Sequence, residues 1–225
     1  MIKQAFYKSI PVMAGYIVLG IGFGILMQRA GYGVLWTAAM SGFIYAGSMQ
    51  YVGVSLLTGG ASVLTTALTT VMVNARHLFY SISMIGRYKD AGKYKPYMIF
   101  GLTDETYSIL SDDNLPVAAE DAHRYRFLVT MFNQSYWIIG CVTGNLLGEV
   151  LPFSTKGLEF SMTALFVASL TEQWITMHDH IPALTGFFGT LLCLLVFGSD
   201  NFLIPALLLI TLILTLLRSR EEAQV

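Results

Sequence analysis

Seven runs of apolar residues, at 11–28, 34–57, 61–85, 127–149, 158–177, 182–197 and 201–218, are separated by short polar stretches. A helix rising about 1.5 Å per residue needs about 20 mainly apolar residues to cross a bilayer, so each run predicts a membrane span. An eighth run, 96–111, is too short for that and turns polar at Asp104 and Glu105. It predicts a re-entrant or half-length helix, capped by Thr103 or Asp104, since carboxylates suit a first helical turn. Pro11 is expected in the first turn of the first span, where its missing N–H does no harm.

Small and hydroxyl residues interrupt the apolar pattern in a regular way. The first run contains Gly15, Gly20, Gly22 and Gly24. Gly20 and Gly24 form a GxxxG pair, which lets helix backbones approach closely; the same glycines also fit an unwound segment lining a site. In the second run Ser41, Tyr45, Ser48 and Ser55 fall near one helical face, beside a stripe of Ala39, Gly42, Ala46 and Gly53. Gln50 adds an amide. Two readings stand here. One is hydroxyl glue between helices, worth ~1 kcal/mol or less per group. The other is the polar wall of a cavity, with a helix break at Ala46-Gly47-Ser48. Five polar groups in one span exceed what packing needs, which favours the wall.

Composition removes the soluble alternative. The chain is 55% hydrophobic and 12% charged, with a mean hydropathy of +0.62. A soluble domain carries about 25% charge. The fold class expected is an all-α integral membrane protein of about seven transmembrane helices plus a short re-entrant or half-length helix, with residues 1–225 as a single transporter domain. The net charge of −1, without a Lys/Arg patch, argues against nucleic-acid binding. Cys141 and Cys193 lie inside apolar runs with no CxxC pairing and read as core residues. Lys3 and Lys8 precede an apolar stretch without a small-residue cleavage site, so no removed signal peptide is expected. No HExxH, GxSxG or P-loop is present, and no enzyme activity, cofactor or metal site is expected. His178-Asp179-His180 reads as a solvated turn, Glu172 as an interfacial residue beside Trp174, and Asp200-Asn201 as a loop and helix start.

The third run holds the most costly residue. VMVNARHLFY, residues 71–80, places Asn74, Arg76 and His77 within an apolar segment. A guanidinium at membrane depth costs at least ~2.5–3.5 kcal/mol. One reading has Arg76 snorkel to the headgroups. The other gives it a buried partner: Asp104 or Glu105, or a carboxylate on a substrate, which an Arg fork binds bidentately. Intramembrane carboxylates and histidines are also usual parts of proton relays, and His77 titrates near neutral pH in an ordinary setting; a neutral His77 bonded to Ser81 or a carbonyl is the alternative. The expected substrate-binding residues are therefore Arg76, Asn74, Ser48, Gln50, Tyr45 and Ser41. Asp104, Glu105 and His77 are expected to hold an ammonium group or a coupling proton. Gly20, Gly22, Gly24 and Gly47 are expected as structural glycines.

Basic residues orient the runs. With 96–111 not crossing and the N-terminus outside, Arg29, Arg87, Lys89, Lys93, Lys95, Arg124, Arg126, Arg218 and Arg220 all fall inside, as the positive-inside rule requires. A weak repeat relates 11–86 to 127–200: Tyr16, Gly20 and Gly24 correspond to Tyr136, Gly140 and Gly144. In this topology the two copies are inverted, a plan common among secondary transporters.

The order of these motifs resembles the AzlC family. It is carried by Gly15–Gly24 (GYxxxGxGFG), Met40–Gln50 (MSGFIYAGSMQ), Val73–Tyr80 (VNARHLFY) and Leu102–Tyr107 (LTDETY); beyond about residue 110 the match rests on span pattern, Gly144 and Gly148. The resemblance implies the large subunit of a branched-chain amino-acid exporter of the bacterial inner membrane. It further implies export of leucine, isoleucine, valine and perhaps methionine, drive from the proton gradient, and a small hydrophobic AzlD-type membrane partner. Such a substrate fits a polar pocket for the zwitterion inside an apolar shell. A channel-like pore for a small polar solute and a non-transporting membrane scaffold are the competing readings.

Overall fold

A computed structural model describes the chain apart from residues 75, 113–114, 151–159, 161–162, 165–166, 168–169, 172–173, 176–178, 199–201 and 223–225. For Arg76 it describes the backbone alone. The described secondary structure is helical, and contacts divide the chain into two units, Met1–Met162 and Thr163–Val225.

The first unit is built on two long helices. α1, Ile2–Arg29, is the one described helix that is long and apolar enough to cross a membrane by itself. It begins well ahead of the predicted span, so Pro11 lies inside it and not in its first turn. The reason is amphipathicity: Ala5 and Ser9 are buried while Lys3, Tyr7 and Lys8 are exposed, so the residues before Pro11 gain enough packing to extend the helix. The partner is the helix Ala122–Val150. The two meet through glycines. A Cβ on Gly20 would stand 2.9 Å from the Cys141 amide nitrogen, and one on Gly24 or Gly144 would overlap the facing backbone. Close packing is therefore the role of Gly20 and Gly24, inside a continuous helix. Gly22 is buried in the same helix.

These two helices run in the same direction. Going along α1, Phe6 meets Phe132, Ser9 meets Tyr136, and Ile17, Ile21 and Ile25 meet Gly140, Gly144 and Gly148. The glycine pairs matched at an offset of 120 thus lie packed on one another, on parallel helices. An inverted relation of 11–86 to 127–200 needs them opposed.

The second predicted span is a hairpin. α2, Val34–Ala39, runs on through a π-helical turn, Met40–Ile44. The chain then reverses and continues as α3, Gly47–Thr58. At the reversal Tyr45 has φ 42°, a left-handed backbone that is uncommon for a non-glycine residue. The hairpin enters where α1 ends: Asn145 Nδ2 donates to Tyr32 O and to Thr37 Oγ1. Farther in, Gly42 O accepts from Gln134 at 3.0 Å, and Met40 faces Gly53 across the two arms. Hydropathy over 34–57 cannot reveal this, because a crossing helix and two half-helices bury equally apolar residues. The break that the polar-wall reading places at Ala46-Gly47-Ser48 falls at Tyr45-Ala46.

α4, Val63–Asn74, and α5, Arg76–Met84, carry the chain back toward the side where α1 starts. A 3₁₀ turn, Gly92–Tyr94, leads into α6, Lys95–Phe100, and α7, Asp104–Leu110, follows with Thr103 as its cap. Residues 96–111 are thus a second hairpin, shorter than the first. Its second arm opposes α1: Glu105 meets Tyr16, Asp112 pairs with Lys8 at 3.8 Å, and Pro116 O accepts from Gln4. The same arm runs alongside α5, where Tyr80 meets Asp104, Ser83 meets Tyr107 and Arg87 meets Ser111. Ala5, Tyr88, Ala91 and Tyr125 share one buried cluster. The basic loop 86–95 and the N-terminus therefore share a side, where the sequence reading separates them. The physical reason is that 34–57 turns back, so only α1 and the α4–α5 pair pass from one side to the other before that loop.

With α8 as the label for Ala122–Val150, the first unit has three through-going passages, α1, α4–α5 and α8, and two hairpins entering from opposite sides. The outer faces are apolar: Val63, Leu64, Leu68, Val71, Leu78, Ile82 and Ile85 are all exposed.

In the second unit, α9, Ile181–Phe197, and α10, Leu203–Glu222, match the last two predicted runs, and Gly189 receives the Ile210 side chain. Asp179 Oδ1 accepts from Ile181 N at 2.9 Å, in the turn that leads into α9. His180 stacks on Trp174 at 4.2 Å. Glu172, His178, Asp200 and Asn201 lie outside the described residues, as does much of the predicted run 158–177.

Candidate functional site

The tips of the two hairpins meet beside Tyr16, in the middle of α1. Tyr45 is the tip of the first. Its ring lies edge-on to Tyr16, with centroids 6.5 Å apart, and tilted to Phe100 of the second tip at 6.4 Å. Tyr16 also packs edge-on against Trp137 at 5.5 Å. Three aromatic rings and the Phe100 ring thus form an apolar sleeve.

Polar groups thread this sleeve. Tyr16 Oη donates to Glu105 Oε2 at 2.6 Å and lies 2.7 Å from Thr103 Oγ1. Thr103 is fixed by its work as the α7 cap, accepting from Thr106 N at 3.3 Å. Asn133 Nδ2 of α8 donates to Thr106 Oγ1 at 3.0 Å. On the first hairpin, Trp137 Nε1 donates to Gln50 Oε1 at 2.8 Å. On the α5 side Tyr80 Oη donates to Asp104 Oδ1 at 2.5 Å, and the His77 ring lies 5.2 Å from that of Tyr80. The result is a half-buried carboxylate held by a phenol, a second half-buried carboxylate held by another phenol one residue earlier, and two amides. A neutral hydroxyl donor stabilises a carboxylate out of water without cancelling its charge.

Most of the expected polar residues assemble here. Tyr45, Gln50 and Glu105 surround Tyr16 and Trp137; Asp104 and His77 gather round Tyr80; Ser48 is buried one turn from the first tip. Gly47 abuts the Trp137 ring, where a Cβ would stand at 3.3 Å. Ser41 belongs to its own helix, donating to Thr37 O at 2.9 Å. Asn74 is half-buried with its Oδ1 unpartnered. The side chain of Arg76 lies outside the described part of the structure; its backbone opens α5. Tyr16, Tyr80, Thr106, Asn133 and Trp137 are additional to the expected residues. Among the described residues no cluster of three His, Cys, Asp or Glu side chains exists to hold a metal ion.

A family model described as AzlC protein matches residues 11–151, which is the stretch holding all three passages and both hairpins. The chain is 42% identical over 224 residues to the branched-chain amino acid transport protein AzlC of Bacillus subtilis, covering 99% of this chain and 88% of that protein. It is 39% identical over 223 residues to an uncharacterized membrane protein of Haemophilus influenzae, covering 99% and 91%. It is 29% identical over 172 residues to the inner membrane protein YgaZ of Escherichia coli, covering 74% and 70%. No solved structure matches the chain.

Proposed function

The chain belongs to the AzlC family, a family of transport proteins and not of enzymes, and from that premise we propose that it is a secondary transporter exporting branched-chain amino acids. Leucine, isoleucine and valine, with methionine as a further substrate, would leave across the bacterial inner membrane, driven by the proton gradient. A small hydrophobic AzlD-type membrane subunit is the expected partner. One observation carries the mechanism: Glu105 and its Tyr16 hydroxyl stand where two hairpins entering from opposite sides meet. A carboxylate in an aromatic sleeve suits an ammonium group beside an apolar side chain, and the same carboxylate takes up a proton when the substrate leaves. Asp104, Tyr80 and His77 form the adjoining station for that proton.

The basic residues support a revised orientation. Among the described loop and terminal residues of the first unit, Lys3, Lys8, Arg87, Lys89, Lys93, Lys95, Arg124 and Arg126 belong to the side where α1 starts, against Arg29 at its other end. By the positive-inside rule the N-terminus and loop 86–95 are cytoplasmic. The first hairpin then opens to the exterior and the second to the cytoplasm.

The test is leucine movement in proteoliposomes under an imposed pH step. The wild-type chain, with a co-expressed small subunit where needed, accumulates labelled leucine against its gradient. Glu105→Gln abolishes the gradient-driven component. Equal accumulation by the variant would remove Glu105 from the mechanism, and a wild type that only equilibrates leucine would make the protein a passive pore.

A further inference from the structure

The two hairpin tips carry one pattern. Ile44, Tyr45, Ala46, Ser48 and Gln50 match Ile99, Phe100, Gly101, Thr103 and Glu105 at a constant spacing of 55 residues. Each reads isoleucine, aromatic, small residue, then hydroxyl, then Gln or Glu. Each tip starts a helix that runs away from the junction, α3 toward the end of α1 and α7 toward its start. The matched residues are thus an inverted pair, nested within the first unit, in place of the pairing at an offset of 120.

The match sets Gln50 against Glu105, an amide in the place of a carboxylate. Each accepts from an aromatic side chain of a neighbouring helix. Glu105 accepts from a phenol. Gln50 Oε1 accepts from Trp137 Nε1, and an indole N–H can only donate. That bond fixes the amide's orientation, and Nε2 is left as a buried donor with no partner. Tyr45 Oη on the same hairpin is also buried, beside the Tyr16 and Thr103 hydroxyls. Gln50 is 0% exposed and Tyr45 4%. A buried unmade hydrogen bond is costly enough that each such group needs a reason. Here an orphaned amide donor and a second buried hydroxyl sit on one hairpin, and an anionic acceptor sits at the matched position of the other.

We infer that the junction binds the amino-acid zwitterion with a fixed polarity: its carboxylate is taken by Tyr45 Oη and Gln50 Nε2 of the first hairpin, and its ammonium by Glu105 of the second. This rests on the transport reading above and adds to it the residues for each end of the substrate. The inverted pair makes chemical sense of the sequence difference. Two like tips would present like groups, whereas a zwitterion needs a donor at one end and an acceptor at the other. The apolar side chain lies among the rings of Tyr16, Tyr45 and Phe100. In the orientation proposed, the carboxylate end faces the hairpin that opens to the exterior.

Ligands lacking one charge test the polarity. Purified full-length protein is titrated with L-leucine, with L-leucinamide, which keeps the ammonium, and with 4-methylpentanoate, which keeps the carboxylate. Tyr45→Phe is expected to weaken L-leucine and 4-methylpentanoate by about tenfold or more, the loss of a hydrogen bond to a charged group, and to leave L-leucinamide within about twofold. Gln50→Glu keeps the acceptor on Trp137 while removing the donor, and is expected to act the same way; it answers the question if Tyr45→Phe fails to fold. Glu105→Gln is expected to weaken L-leucine and L-leucinamide and to spare 4-methylpentanoate. Equal losses for all three ligands in the Tyr45 and Gln50 variants, or the reverse pattern, would overturn the polarity while leaving the transport reading intact. A wild type that binds no branched-chain amino acid would overturn both.

Discussion

In the mechanism proposed, Glu105 is the residue on which the candidate site turns, and Tyr16 holds it in place. The phenol donates to the carboxylate at 2.6 Å and touches the α7 cap Thr103 at 2.7 Å, so one hydroxyl fixes both the charge and the helix that carries it. Tyr16→Phe keeps the ring and its contacts with Tyr45 and Trp137. It removes a charge-assisted hydrogen bond worth ~1.5–3 kcal/mol, so the initial rate of leucine efflux from vesicles is expected to fall about tenfold or more at matched protein level. Tyr80→Phe acts on Asp104 in the same way; if its loss is as large as that of Tyr16→Phe, both carboxylates belong to the transport path. The polar groups gathered at the hairpin tips were legible in the sequence where they intrude on apolar runs, as Tyr45, Gln50, Asp104 and Glu105 do. Tyr16 was harder to see, because a tyrosine in a glycine-rich apolar run has the look of a packing residue. Asn133 and Trp137 gain their meaning only from the hairpins they face.

At the level of elements, glycine decides how α1 and α8 meet. Gly24 and Gly144 leave no room for a side chain against the opposing backbone, while Gly15 has nothing within 4 Å. Gly24→Leu is therefore expected to lower the melting temperature of the purified protein sharply, since overpacking costs about 1–3 kcal/mol or more and backbone cannot yield as a flexible side chain can. Gly15→Ala is expected to leave it unchanged. That contact was legible from the GxxxG spacing, and the helical class from composition. The hairpins were half-legible. Residues 96–111 showed themselves by being too short to cross, and their Thr103 cap was foreseeable from residue type. Residues 34–57 have the length and hydropathy of a span, so their reversal showed only as a cluster of small and hydroxyl residues round Tyr45. The parallel course of α1 and α8 depends on how many elements turn back between them, which no local pattern records.

For the whole molecule, the account rests on two hairpins that enter from opposite sides and meet between three through-going passages. That arrangement fixes sidedness in a way seven simple spans do not: residue 3 and loop 86–95 share one face, and the turn between α3 and α4 lies on the other. It also explains why a chain with one self-sufficient crossing helix among its described residues keeps so many half-buried polar groups. Helices that stop midway bring their ends, and the chemistry at those ends, to the centre. Background labelling is expected to be low, since Cys141 and Cys193 are both buried. The most direct measurement is labelling of single cysteines with a membrane-impermeant maleimide, applied to intact cells and to inverted vesicles. Lys3→Cys and Lys93→Cys are expected to react in inverted vesicles and stay protected in intact cells, while Ala61→Cys shows the converse. Lys3→Cys and Lys93→Cys reacting from opposite faces would mean that residues 34–57 cross the membrane, and would contradict the opposed hairpins on which the site is built.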